Sequence, residues 1–260
     1  MNAPAPPPLC IADDATFWAW RRWPEFVQGK TPPRAMVVVP IVGMADWGLG
    51  HPLDVEETVL LHVLRAVSVA REPGLPLLVV PPLRFVLGPD PGCAFPVDPP
   101  VAHELVGEVL GSIAASGFRR VVLFNASPWN EEFIAVAARD NRIAHRLQIF
   151  RISLSGLGLD LHPTRSQVRR KVQTLVTALT GKEPEPPRDG SAPPVRQGWG
   201  DESVTPLAGP ALPLAQAQAE GAVILAEAAA HLLTLLDEIY LRPPLAHDGA
   251  ILPAQFPLRD

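Results

Sequence analysis

"RRVVLFNASPWNEE", residues 119–132, joins a strand to a helix through a short loop. Val121, Val122, Leu123 and Phe124 form a continuous apolar run, not an alternation, which predicts a strand covered on both faces of a parallel sheet. Asn130 stands at an N-cap position, and Glu131 and Glu132 follow in the first helical turn, where carboxylates complement the helix dipole. The loop between them, "NASPWN" (125–130), leaves the carboxyl end of the strand, the edge at which parallel α/β proteins bind ligands. It nevertheless contains little that can do chemistry.

The same reading extends in both directions. "AMVVVPIVG" (35–43), "LPLLVV" (75–80) and "LQIFRISL" (147–154) are further continuous apolar runs and predicted strands. Between the four runs lie helical segments at 54–70, where Val55, Val59, Val63 and Val67 recur every four residues, at about 100–116, and at 130–143. Asp54 is the expected N-cap of the first, with Glu56 and Glu57 as first-turn charges, and Gly117 is the expected C-cap residue of the second. Two more helices are expected at 164–180 and 214–240. The order predicts one α/β domain, with parallel strands joined by right-handed crossovers. Its 32 prolines concentrate at the N-terminus, in 182–197 and near the C-terminus. Accordingly 1–30 is read as an arm and helix, 182–213 as a proline-rich loop and 241–260 as a tail, within a single domain 1–260.

Composition narrows the function classes. At 260 residues, 47% hydrophobic and 19% charged, the chain is long enough to bury a core without disulfides or metals. The formal net charge is −5, and no basic cluster is interleaved with aromatics, so no nucleic-acid partner is expected. The densest basic run, "RSQVRRK" (165–171), reads as a solvated helix face. Cys10 and Cys93 lack metal-ligand spacing and make no disulfide framework, which favours a reducing compartment. The start "MNAPAPPPLCIADD" has no signal-peptide pattern, and "GAVILAEAAAHLLTLL" reads as too short to span a bilayer comfortably. The expectation is a cytoplasmic protein without a membrane partner.

Four loops converge on the carboxyl edge: "MADWGLGHPLD" (44–54), "PPLRFVLGPDPGCAFPVDP" (81–99), "NASPWN" (125–130) and "SGLGLDLHP" (155–163). In that order the chain resembles the creatininase (creatinine amidohydrolase) family. That family leads from a "WPE" element into "P-x-G-S-x-E-Q-H-G-P-H-L-P-L-x-T-D"; here "RRWPEF" (21–26) precedes "VVVPIVGMADWGLGHPLDVEE" (37–57), with Pro40, Gly48, Pro52 and Leu53 in register. Phe95-Pro96 echoes a later "FPGT". "SGFRRVVLFNASPWN" (116–130) follows "hGfrrivlvNgHGGN", keeping Gly117, Phe118, Arg119, Arg120, Asn125 and Asn130. "GWGDESVT" (198–205) and "AEG" (219–221) resemble the late "G-x-x-G-D-P" and "E-K-G" signals. The resemblance implies a three-layer creatininase-like α/β fold with a mainly parallel central sheet flanked by helices.

It also implies a chemistry that the residues do not keep. Members of the family hydrolyse amide C–N bonds with two bridged divalent metals. In register, the first-loop Glu of the family falls on Ala45, its first His on Trp47, its second His on Gly50, its Asp on Glu56, and the "NGHGGN" His on Ser127. Only Glu56 retains ligand chemistry, and a hydrolytic site needs about three protein ligands and an open position for water. The expectation is therefore no cofactor, with zinc or manganese entering only if a site has been rebuilt. Catalytic candidates for a rebuilt site are Glu56, His51, His162 and Asp160, and its metal candidates are His51, Glu56 and His162. None shows compact metal-binding spacing.

The candidate ligand pocket comprises Asp46, Trp47, His51, Glu56, Asn125, Ser127, Trp129 and Asn130. Each also has a structural reading, such as a loop hydrogen bond for Asp46. Ser127 is a poor nucleophile because Pro128 offers no amide for an oxyanion. Cys93 reads as a small loop or core thiol, and His62, His103, His145 and His231 as core-edge or surface residues on helices. Trp47 and Trp129 either plug the vacated cavity or line a pocket for a small-molecule ligand. The preferred expectation is a creatininase-like pseudoenzyme acting as a binding or assembly subunit. The alternatives are a divergent amidohydrolase with a rebuilt site and a small-molecule binder with a tryptophan-lined cleft. Family members are commonly hexamers built from dimers, so the resemblance implies a homo-oligomer, hexamer or dimer, reached through 182–197 and 241–260.

Overall fold

The structure, a computed structural model, describes residues 16–26, 34–87, 93–162, 166–185, 207 and 210–243. Expectations for most of 1–30, for 186–206 and for 244–260, including "GWGDESVT", lie outside these residues. The elements follow the predicted order with small additions. They are β1 (Met36–Val42), β2 (Met44–Ala45), α1 (Val55–Ala70), β3 (Leu77–Val79), β4 (Leu83–Arg84), β5 (Cys93–Ala94), α2 (Pro99–Ala115), β6 (Arg120–Asn125), α3 (Glu131–His145), β7 (Gln148–Ser153), α4 (Ser166–Thr180) and α5 (Leu214–Leu241). "WPE" forms a single 3-10 turn, Trp23–Glu25.

The main sheet runs β3-β1-β6-β7, with β4 extending the β3 side of β1, and every pairing in it is parallel. β2 and β5 form a separate antiparallel pair, a feature without sequence periodicity to announce it. All residues of β1 and β6 are buried, as continuous apolar runs require. Alternate side chains feed two cores. Met36, Val38 and Val42 of β1, with Val122 and Phe124 of β6, pack with α1, α4 and α5. Val37, Val39 and Ile41, with Val121 and Leu123, pack with α2 and α3 on the opposite face. The result is a three-layer α/β architecture, and the loops leaving β1, β6 and β7 share one edge because those strands are parallel.

Helix ends differ from expectation in how their side chains are used. α2 ends as predicted. Gly117 takes φ 91°, donating to the Ala114 carbonyl at 3.0 Å while Phe118 donates to that of Ile113 at 3.3 Å, a pair of bonds that satisfies terminal carbonyls. Asp54 and Asn130 do occupy N-cap positions, but neither side chain caps its helix. The Asn130 amide instead donates to the Phe85 carbonyl at 3.0 Å and its Oδ1 accepts the Leu87 amide at 3.0 Å. Asn130 thus ties the loop after β4 to the loop after β6, a tertiary use that outranks the local one.

Two readings need correction. The basic run on α4 is not simply a solvated face, because Arg169 is fully buried. Its neighbours Val172 and Val176, three and seven residues on, put it on the apolar side of the helix. The stretch read as too short to span a bilayer belongs to α5, whose 28 residues are long and apolar enough to cross one by length and composition. Here α5 places Ala217, Gly221, Ala228, Leu232, Leu236 and Ile239 inward against α1 and α4, while 28% of its apolar window is buried. Its carboxyl end is held by buried Arg120 of β6. That guanidinium donates from Nη1 to the Tyr240 carbonyl at 3.1 Å and from Nη2 to that of Arg242 at 2.8 Å.

Candidate functional site

The carboxyl-edge loops are organised by one carboxylate. Glu56 lies in the first turn of α1 but points inward and is 0% exposed. Its Oε2 accepts the Gly43 amide at 2.5 Å and its Oε1 accepts the Trp47 indole Nε1–H at 3.1 Å. Removing a carboxylate from water costs several kcal/mol unless hydrogen bonds replace the lost hydration. Glycine is needed at the first donor: a Cβ on Gly43 would lie 3.1 Å from Glu56 Oε2 and 2.9 Å from the Val86 Cβ. The strand-to-loop corner after β1 therefore brings its backbone against the carboxylate.

Trp47 is the second hub, at 1% exposure. Its indole stacks on that of half-buried Trp129 with centroids 5.8 Å apart and planes inclined by 15°. Its carbonyl accepts Arg169 Nη2 at 2.5 Å. The rest of the loop is fastened to α4 as well. Gln173 donates to the Leu49 carbonyl at 2.7 Å, and His51 Nε2 meets Thr177 Oγ1 at 3.1 Å. Because Thr177 already donates to the Gln173 carbonyl at 2.9 Å, the His51 ring is the donor in that pair. Burial pushes His51 below its ordinary pKa, countered in part by a hydrogen bond involving Gln173 and by the Asp54 charge. Glu185 closes over the loop by donating its amide to the Gly50 carbonyl at 2.8 Å.

The other candidates serve local geometry. Asp46 Oδ1 accepts the Gly48 amide at 2.8 Å, and Asp160 Oδ1 accepts that of His162 at 2.8 Å. Asn125 spans its own loop, donating to the Ser127 carbonyl at 2.7 Å and accepting the Ser127 amide at 3.3 Å. Ser127 Oγ is fully buried with no hydrogen-bond partner among the described residues, so no base activates it. Cys93 is buried and stands in register with Ala45 in the β2–β5 pair. His62 bonds the Thr58 carbonyl, His103 pairs with Asp140, and His145 packs against Gly111, all away from the loops.

The structure therefore brings together Trp47, Glu56 and Trp129, and it joins Asn125 to Ser127. It turns His51 toward α4. Among the described residues, no group of three or more His, Cys, Asp or Glu side chains is placed to hold a metal ion. Sequence reasoning missed Arg169 and Gln173, which hold the Trp47 loop from α4. The signal that could have found them is their position on the α4 face that carries Val172 and Val176. A groove of about 410 Å³ lies elsewhere, against β7, lined in part by Arg142, Phe150 and Arg242.

No protein-family profile and no curated protein matches the sequence. Solved structures do match the fold. A mutant creatininase of the Zn–Zn type has a TM-score of 0.63 at 17% identity, over 87% of this chain and 98% of that one. A protein from Bacteroides fragilis named as a creatinine amidohydrolase gives a TM-score of 0.63 at 11% identity, over 90% of this chain and 100% of that one. A manganese creatininase gives 0.56 at 18% identity, over 88% and 100% of the two chains. With its mainly parallel sheet between two helical layers, the chain has the creatininase-like α/β fold.

Proposed function

We propose that this chain is a creatininase-fold protein without the two-metal site, working as a cytoplasmic, non-catalytic binding or assembly subunit. The observation that carries this reading is the state of Glu56. Both carboxylate oxygens accept N–H donors, from Gly43 and from the Trp47 indole. Each bond takes one of the carboxylate's roughly four lone-pair sites, and among the described residues Glu56 belongs to no group of three His, Cys, Asp or Glu side chains that could hold a metal ion. An indole is not a metal ligand, and Trp47 stands in register with a family histidine. The donor set at the carboxyl edge thus does not fit the zinc or manganese named in structural neighbours of the same fold. No hydrolytic step is assigned to it.

The tryptophans support a plug more than a platform. Trp47 is sealed at 1% exposure and stacked on Trp129, and both pack with the core shared by α1, α4 and α5.

Elemental analysis of protein purified without chelator should find less than about 0.1 equivalent of zinc or manganese, and creatinine hydrolysis should be undetectable. One or two tightly held equivalents, with turnover abolished by Glu56→Gln or His162→Ala, would establish the rebuilt amidohydrolase instead. Urea unfolding should show Trp47→Ala costing about 3–5 kcal/mol and Trp129→Ala, half-buried, about 1–3 kcal/mol. A near-wild-type midpoint for Trp47→Ala would support an open ligand cleft. Light scattering at micromolar concentration should return a multiple of the single-chain mass, and a monomer would count against assembly.

A further inference from the structure

The carboxyl side of the sheet holds three buried charged residues among those described: Glu56 and Arg169, both 0% exposed, and Asp160 at 5%. The remaining buried arginine, Arg120, sits at the opposite edge on the last carbonyls of α5. Resting on the metal-free reading above, we infer that Arg169 is the internal counter-cation of Glu56, supplying from within the chain the positive charge that a bound metal would otherwise supply. The two charges are joined through one residue. Trp47 gives its indole N–H to Glu56 Oε1 at 3.1 Å, and its carbonyl takes Arg169 Nη2 at 2.5 Å.

The chemistry favours arginine for this task. Its guanidinium stays protonated in a protein interior, is weakly hydrated and presents a rigid set of donors, so it loses less on burial than an ammonium. It is also delivered by a rigid element, since Arg169 shares its α4 face with core residues Val172 and Val176. Three parts of the fold are thereby tied: α1 through Glu56, the loop after β2 through Trp47, and α4 through Arg169. With Arg169 in place the buried edge carries one positive charge against the carboxylates Glu56 and Asp160, and an arriving divalent cation would meet a like charge. The Trp47 loop is then a fixed wall and not a mouth, held further by Gln173 on the Leu49 carbonyl.

The test is a charge-rescue cycle on the full chain, read as urea midpoints. Arg169→Met should lower the midpoint by about 1 M or more, as expected when one partner of a buried pair is removed. Glu56→Gln in the Arg169→Met background should recover at least about half of that loss, whereas Asp160→Asn in the same background should not. Strictly additive losses, or rescue by Asp160→Asn and not Glu56→Gln, would overturn the assignment. Should neither methionine variant fold, Arg169→Lys and Arg169→Gln decide: folding of the lysine variant alone supports a charge role, and folding of both or neither overturns it. Metal content of the same wild-type preparation separates the two ideas. Bound zinc or manganese defeats the metal-free reading, whereas absent coupling in metal-free protein defeats the role of Arg169 alone.

Discussion

A carboxylate that must be buried governs the upper half of this molecule. Glu56 is fully enclosed, and enclosure is tolerable only if each oxygen is hydrogen-bonded. That requirement places a glycine at the end of β1, because the Gly43 amide must come within 2.5 Å of Oε2. It also fixes the orientation of the Trp47 indole, whose Nε1–H must reach Oε1. Once the indole is fixed, Trp129 stacks on it, and the Trp47 carbonyl turns to Arg169. The loops after β1, β2 and β6 and the helix α4 are held in one arrangement by this chain of contacts.

The parallel sheet is what makes the arrangement possible. β1, β6 and β7 run in register and in the same direction, so the segments leaving them emerge together. Structural neighbours of this fold are named as zinc and manganese creatininases, but fold alone does not confer activity. Here the Gly43 amide and the Trp47 indole meet Glu56, Arg169 meets the Trp47 carbonyl and His51 meets Thr177, so these polar groups at the edge bond to one another. Stability and rigidity are the properties such a set favours. The proposed role as a binding or assembly subunit follows from this inward-directed chemistry.

Much of the fold was legible in the sequence for a simple reason. β1, β6, β7 and all five helices are long enough to carry a pattern: a continuous apolar run for strands buried on both faces, and a three-to-four residue recurrence for α1. β2, β4 and β5 have two residues each, too few to show any period, and their existence depends on distant partners. Asp54 and Asn130 were correctly placed at helix starts, but their bonding depends on the fold, and Asn130 serves Phe85 and Leu87 more than 40 positions away. Of the candidate site, Ala45, Trp47 and Ser127 are residue types that the sequence alone marks as poor metal ligands. The inward direction of Glu56 was not, because a first-turn carboxylate usually faces water. Arg169 was hidden by its basic neighbours, whose charge suggested solvent for the whole run.

Hydrogen exchange at the Trp47 indole tests the central claim most directly. In protein labelled with ¹⁵N-tryptophan, and assigned with Trp47→Phe, the Nε1–H donated to Glu56 should exchange only with global unfolding, and Glu56→Gln should greatly accelerate it. An indole proton that exchanges as rapidly as that of an exposed tryptophan, or that is unaffected by Glu56→Gln, would contradict the account.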